Sequence, residues 1–223
     1  MVIFNGDEIM KKTLLALTVG VALVPSLAMA EVGDIVVRAR VTNIAPDESS
    51  KLGAIAPSVG GPNAYLTVDS NTIPEIDFSY YITKNIAAEL ILAIGTKHTV
   101  TAHADNGINY DLGKVNLLPP TLLAQWHFNP DQTFDPYVGA GVSYVRAMDN
   151  NLTLAGTTPI TIDRNNWGVA IQAGMDYNLE NKWLLNVDVK KMWFDTTVKA
   201  NGTKIDQLDV DPWVVSLGFG KKF

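Results

Sequence analysis

The last thirteen residues, Asp211–Phe223, read DPWVVSLGFGKKF. Taken alternately, one face carries Trp213, Val215, Leu217, Phe219, Lys221 and Phe223, and the other carries Pro212, Val214, Ser216, Gly218, Gly220 and Lys222. A period of two belongs to a β-strand, whose successive side chains point to opposite faces. One face here is large and mostly apolar, the other mostly small or polar, and rings stand at both ends of the apolar face, ten residues apart.

The same spacing recurs twice upstream. Trp167 and Tyr177 bracket Val169, Ile171, Ala173 and Met175, and Trp183 and Trp193 bracket Leu185, Val187 and Val189. Ten residues of strand span ~33 Å. Tilted by about 40°, they rise about 25 Å, the height of the apolar band between the two aromatic girdles of an outer-membrane barrel. With Trp126, these rings form the expected girdles: Trp126, Trp167, Tyr177, Trp183, Trp193, Trp213 and Phe223. The plainer alternative is a soluble sandwich whose core aromatics fall at strand ends.

Working outward, eight segments alternate in this way, at about 34–43, 73–83, 86–96, 115–128, 135–147, 166–179, 182–197 and 211–223. Short connections (83–85, 129–133, 180–181) alternate with long ones (44–72, 97–114, 148–165, 198–209). Short turns on one side and long loops on the other make the plan of an eight-stranded antiparallel transmembrane β-barrel with both termini in the periplasm. A lipocalin-like soluble barrel also has eight strands. The paired girdles and a chain ending in an aromatic residue on the apolar face favour lipid outside.

The start of the chain reads as a secretory signal. Lys11 and Lys12 precede an apolar run from Leu14 to Val24, and Ala28-Met29-Ala30 offers a small-x-small cleavage site. Residues 1–30 are therefore an N-terminal extension plus signal peptide, with cleavage after Ala30 and initiation at Met10. Residues 31–223 form one barrel domain. The chain has no cysteine and a formal charge of -6. An exported, acidic protein without a basic cluster is unsuited to nucleic acid, whose phosphates need grouped Lys and Arg. No disulfide braces it, so edge-free strand pairing has to do so.

With the apolar face turned to lipid, Arg38, Arg40, Asp77, Glu89, Asp176, Asp188 and Lys190 fall inside a lumen that eight strands leave nearly filled. Buried charges must pair, so these residues are expected to form a polar network. Catalytic and cofactor sites are not expected. His127 belongs at the barrel bottom, His98 and His103 near Asp105 make a weak metal pair, and Gly139-Ala140-Gly141 lacks the rest of a dinucleotide motif. No metal or cofactor is assigned.

Several stretches then carry a resemblance: Leu117-Leu118-Pro119-Pro120-Thr121-Leu122-Leu123-Ala124-Gln125-Trp126, Pro136-Tyr137-Val138-Gly139-Ala140-Gly141-Val142, Trp167-Gly168 with Gln172-Ala173-Gly174, Asp195-Thr196-Thr197 and Asp211-Pro212-Trp213. In this order they resemble the OmpW family of bacterial outer-membrane proteins, which includes AlkL-like channels for hydrophobic compounds. The resemblance implies a Gram-negative outer-membrane barrel, not an enzyme, that passes small hydrophobic molecules and releases them sideways into the bilayer. The terminal Phe223 is similar to the signal read by barrel-assembly machinery.

Two features supply such a route. Pro119 and Pro120 have no N–H to give a neighbouring strand, so with Leu117, Leu118 and Leu123 they form a candidate lateral gate. The first long connection is unusually apolar, and its Leu52, Ile55, Val59 and Leu66 form a candidate mouth. Two alternatives stay open: prolines that merely end a strand at the membrane surface, with the loop packed on itself, and a structural or receptor-type protein that shares every barrel feature.

Overall fold

The computed structural model describes residues 31–93, 95–149 and 152–223. The expected extension and signal peptide at 1–30 and Ile94 on the third strand lie outside the described residues. The strands in chain order are β1 (Ile35–Ala45), β2 (Tyr65–Val68), β3 (Asn71–Tyr81), β4 (Ile86–Ala93), β5 (Thr96–His103), β6 (Asn109–Leu118), β7 (Thr121–His127) and β8 (Phe134–Asp149). They continue with β9 (Leu152–Leu154), β10 (Thr158–Ile162), β11 (Asn165–Asn178), β12 (Trp183–Trp193), β13 (Asp195–Ala200), β14 (Thr203–Asp209) and β15 (Trp213–Lys222). One short helix, α1 (Leu52–Ile55), sits in the first long connection.

Eight of these strands close a cylinder. The hydrogen-bonded order β11-β12-β15-β1-β3-β4-β7-β8 returns from β8 to β11, antiparallel throughout. The first and last strands meet, with Val36 opposite Lys222 and Ala45 opposite Trp213. No helix among the described residues is long and apolar enough to cross a membrane; the strands do the crossing.

The register fixes the faces. Val169, Ile171, Leu185, Val187, Val215, Leu217 and Phe219 stand outward and exposed, and Arg38, Asp77, Ser79, Glu89, Asp188 and Ser216 point inward without measurable exposure. The rings form two belts. Tyr144 lies against Trp167 at 5.0 Å, with Trp193 and Trp213 on the following strands; Phe134 lies against Tyr177 at 5.0 Å, with Trp183, Phe219, Phe223 and Trp126 at the same end. Lys221 places its ammonium over Trp183 and Phe223, and Lys191 over Trp213, which suits cations held at an interface beside ring faces. Small residues inside make room: a Cβ on Gly174 would strike the Tyr137 ring, and one on Gly218 would strike the β1 backbone.

The long connections differ from the expectation of loops. They hold strands of their own. The sheet continues above the upper belt through β6, β5 and β2, and a four-stranded sheet, β14-β13-β10-β9, stands beside it. Aromatic spacing therefore marks where lipid ends, and the strands run on past it, because inward residues such as Val100, Ala102, Leu112 and Val198 still have a core to enter. The expected third, fourth and seventh strands are each broken at the top of the barrel, at Gly95, at Pro119-Pro120 and at Phe194.

Val187 sits mid-strand on the outer face, between Met175 and Leu217. Val187→Arg should cost about 2–4 kcal/mol, the penalty for a cation at the bilayer midplane. Urea unfolding in lipid vesicles checks it, and an unchanged midpoint would mean this face does not meet hydrocarbon.

Candidate functional site

The interior has two storeys. The lower one is a plug of charge. Arg38, on β1, donates from Nε and Nη2 to both oxygens of Asp176 on β11 (3.2 and 2.5 Å), and from Nη1 to Asp77 Oδ1 (3.1 Å) and Ser79 Oγ (2.7 Å) on β3. Arg40 bonds Glu75 and Glu89 at 3.1 Å each, and its Nε lies 3.0 Å from Asp77 Oδ2, close enough for attraction but off line for a hydrogen bond. Lys190 on β12 bonds Asp188 at 2.6 Å and reaches Glu75 at 3.4 Å. Gln172 donates to Glu89 and Asp188 (2.8 and 2.7 Å), and the Tyr137 hydroxyl donates to Asp188 at 2.9 Å.

All seven residues expected to form a lumen network are thus brought together. Glu75, Gln125, Tyr137, Gln172 and Asn186 join them; Glu75 is a charge on the same face of β3 as Asp77 that the expected set left out, and the other four carry no charge to mark them. Burying an ion costs several kcal/mol unless partners replace water. Side chains from seven strands (β1, β3, β4, β7, β8, β11 and β12) meet here, so the plug also cross-braces the cylinder.

Toward the periplasm His127 Nδ1 lies 2.7 Å from Asp135 Oδ2, under the Tyr81 and Tyr137 rings, and Asp176 is close by. Asp176 is already engaged by both ends of the Arg38 fork, and His127 by Asp135, so the trio reads as the end of the network. The other two histidines face opposite ways. His98 turns inward, and His103 turns outward to stack on Tyr65 and bond Thr67 and Asn109. They form no metal pair.

Above the plug lies an apolar floor of Ile44, Ile91, Leu123, Ala170, Met192 and Val214. Over it opens a chamber of two lobes, each with a void of about 50 Å³, that share Val68, His98, Leu117, Val145, Phe194 and Val210. The first long connection closes the top. The expected open mouth is a roof: Leu52 and Leu66 are 2% and 1% exposed inside the upper core, Val59 packs against that core, and Ile55 remains outside. Ser50 and the Lys51 backbone tie the roof to Asp206 of β14 at 2.6 Å each. Its apolar composition pays for burial at the top of the chamber, which is the reason the loop does not gape.

The candidate gate residues spread around one place in the wall. Pro119 and Leu117 line the chamber, Leu118 faces lipid, and Leu123 belongs to the floor. Across the seam between β4–β5 and β6–β7, pairing runs up to Ile91–Thr121 and resumes at Thr96–Leu117. Between them, Leu92, Ala93 and Gly95 have no ladder partner among the described residues of the facing strand, and Gly95 holds a positive φ of 81°. On its other side the proline segment stays tied to β8, where the Tyr144 N–H donates to the Pro120 carbonyl at 3.0 Å. The weak line in the wall is therefore the β4–β5 side.

A closed barrel with an outward apolar band, two aromatic belts and a plugged lumen defines the class: an integral protein of the Gram-negative outer membrane. The OmpW family model matches residues 31–223. Outer membrane protein W of Escherichia coli (strain K12) is 35% identical over 221 residues, covering 96% of this chain and 99% of that protein. Outer membrane protein AlkL of Ectopseudomonas oleovorans is 28% identical, covering 72% of this chain and 71% of that one. The crystal structure of outer membrane protein OprG from Pseudomonas aeruginosa superposes with a TM-score of 0.75 at 29% identity, covering 86% of this chain and 97% of that chain. The chain belongs to the OmpW family.

Removing one partner of the plug tests its energetics. Arg38→Met takes the arginine from Asp176 and leaves Asp77 with Arg40 alone, and should lower stability by about 3–5 kcal/mol. Adding Asp176→Asn should recover part of that loss, because fewer unpaired charges remain. A double-mutant cycle from urea unfolding in vesicles measures it.

Proposed function

We propose that the protein passes small hydrophobic molecules from the cell exterior into the outer membrane. The solute enters the chamber beneath the roof and leaves sideways between β4–β5 and β6–β7. The observation that carries this reading is the placement of the apolar chamber. It stands on a sealed floor and a charged plug, and its wall lacks ladder donors at Pro119 and Pro120. A greasy solute cannot continue downward, because it would strip partners from buried ions. The lateral path leads past Leu118 to the membrane at the level of the upper belt. Membership of a family that includes a protein named AlkL, together with the resemblance to channels for hydrophobic compounds, supports the same direction.

Some accompanying roles follow from this reading. The protein acts as a conduit and not as an enzyme. Its mature chain begins at Glu31 after removal of the signal, and the strand ending at Phe223 is what the assembly machinery reads. Opening takes two movements, a shift of the roof and a parting of the seam. A void of about 50 Å³ per lobe is smaller than the ~150 Å³ that holds benzene in an engineered cavity, so the described state is the closed one.

Pro119→Val/Pro120→Val returns N–H donors to the wall. At about 1 kcal/mol per bond gained, the open seam should become roughly 5- to 30-fold rarer. Uptake of a hydrophobic solute into proteoliposomes should fall by a similar factor with folding unchanged. Undiminished uptake by the folded variant removes the gate, and failure of the unaltered protein to speed uptake removes the transport reading and leaves an anchor or receptor.

A further inference from the structure

His98 is the one polar side chain that lines both lobes of the chamber. It lies on β5, where Thr96, His98, Val100 and Ala102 alternate inward, and it is 3% exposed. Its Nδ1 stands 2.7 Å from the backbone carbonyl of Asp69. A carbonyl only accepts, so Nδ1 must carry the proton. In the neutral ring Nε2 is then a bare acceptor. No described residue donates to it. The other polar groups of the lining each stand in one lobe: the Thr96 hydroxyl donates to the Leu117 carbonyl, and the Asn166 amide nitrogen donates to the Asp163 carbonyl and the Thr196 hydroxyl.

The fully buried side-chain atoms without a partner among the described residues are Arg40 Nε, Asp77 Oδ2 and Asn186 Oδ1; His98 Nε2 is not one of them, so it keeps accessible surface and can take a donor from a solute. Val68, Val145, Phe194 and Val210, its neighbours at the junction of the lobes, show how an apolar side chain would fill the same wall. We infer that the chamber is a binding site for small amphipathic molecules, an apolar body bearing one hydrogen-bond donor such as an alcohol, with the donor held by His98 Nε2. The inference rests on the transport reading: with a void of about 50 Å³ per lobe, binding takes the same shift of the roof that admits a solute. It narrows the solute class. A pure hydrocarbon leaves Nε2 unpaired, whereas a hydroxyl-bearing solute of the same length satisfies it and still buries its chain against valines, leucines and Phe194. The same bond positions the solute beside Leu117 and Pro119, next to the seam.

The matched probes are 1-hexanol and n-hexane. In nanodiscs, adding 1-hexanol to the ¹⁵N-labelled protein should shift the His98 Nε2 resonance, and n-hexane should not. In proteoliposomes the unaltered protein should take up 1-hexanol faster. His98→Asn keeps an amide donor for the Asp69 carbonyl but withdraws the acceptor from the junction, and His98→Phe removes both. Each should cut 1-hexanol uptake roughly five- to tenfold, the worth of one neutral hydrogen bond to a buried acceptor, and leave n-hexane uptake unchanged. A role confined to pinning Asp69 would slow both solutes in His98→Phe and neither in His98→Asn, which overturns the inference. An Nε2 resonance indifferent to 1-hexanol also overturns it, whatever the variants do. If neither solute is taken up by the unaltered protein while the resonance still shifts, the transport reading fails and the binding site stands.

Discussion

Hydrocarbon offers no hydrogen bonds, and this constraint organises the molecule. Every N–H and C=O in the membrane must find a partner in the chain or cost several kcal/mol. A sheet meets that demand only by closing on itself, and the pairing of Ile35–Ala45 with Trp213–Lys222 is where it closes. Against that rule the interruption at Pro119-Pro120 stands out. Two successive residues without donors sit at the upper rim, beside a positive-φ glycine on the facing strand. On the β8 side one bond, from the Tyr144 N–H to the Pro120 carbonyl, spans the gap between the Leu118–Arg146 and Thr121–Ser143 pairs, whereas on the β4–β5 side Leu92, Ala93 and Gly95 have no ladder partner on the facing strand among the described residues, so a local property of proline becomes a directional weakness.

The same solvent logic divides the interior. Inside the membrane the lumen is too narrow for bulk water, so the ions it contains satisfy one another, Arg38 with Asp77 and Asp176, Arg40 with Glu75 and Glu89, Lys190 with Asp188. Lys190 and Asp188 are neighbours on one strand, but the other pairs join different strands, so most of the compensation comes from geometry across the barrel. Above the belts the inward positions change character, and Leu112, Val115, Leu152, Phe194 and Leu208 form an apolar core. Polar below and apolar above is the reverse of a hydrophilic channel with a greasy constriction. Paired ions fill the lower half, and the upper half encloses apolar surface.

Much of this was legible residue by residue. Alternation in DPWVVSLGFGKKF gave strand and faces, because a pleated strand has no other way to sort Trp213, Val215 and Leu217 from Val214 and Ser216. The ten-residue spacing of Trp183 and Trp193 gave the thickness of the lipid, because rings of this kind settle at interfaces. Most inward charges were legible, since any charged residue on the side away from lipid has to enter the cylinder; Glu75, on the same face as Asp77, was the one of the arginine-bound carboxylates left out. The extent of the strands was not. Belt spacing reports where hydrocarbon stops, and Lys97–Lys114 reads as a loop when its ends are taken from the belt. The mouth was misjudged for a related reason: Leu52 and Leu66 are apolar because they are covered, and composition alone does not separate a covered loop from an open one.

By itself, then, the sequence determined the barrel, its orientation toward lipid, the content of its lumen and the position of its two prolines, because each of these follows from periodicity or from the covalent chemistry of a side chain. Only the tertiary structure decided which ions share which partners, that the upper hairpins enclose an apolar chamber with His98 at its waist, and which flank of the proline segment is left unpaired. These depend on which strands are neighbours and at what register. His98 and Asp69 are 29 residues apart in the chain, and nothing local in either residue says that they meet.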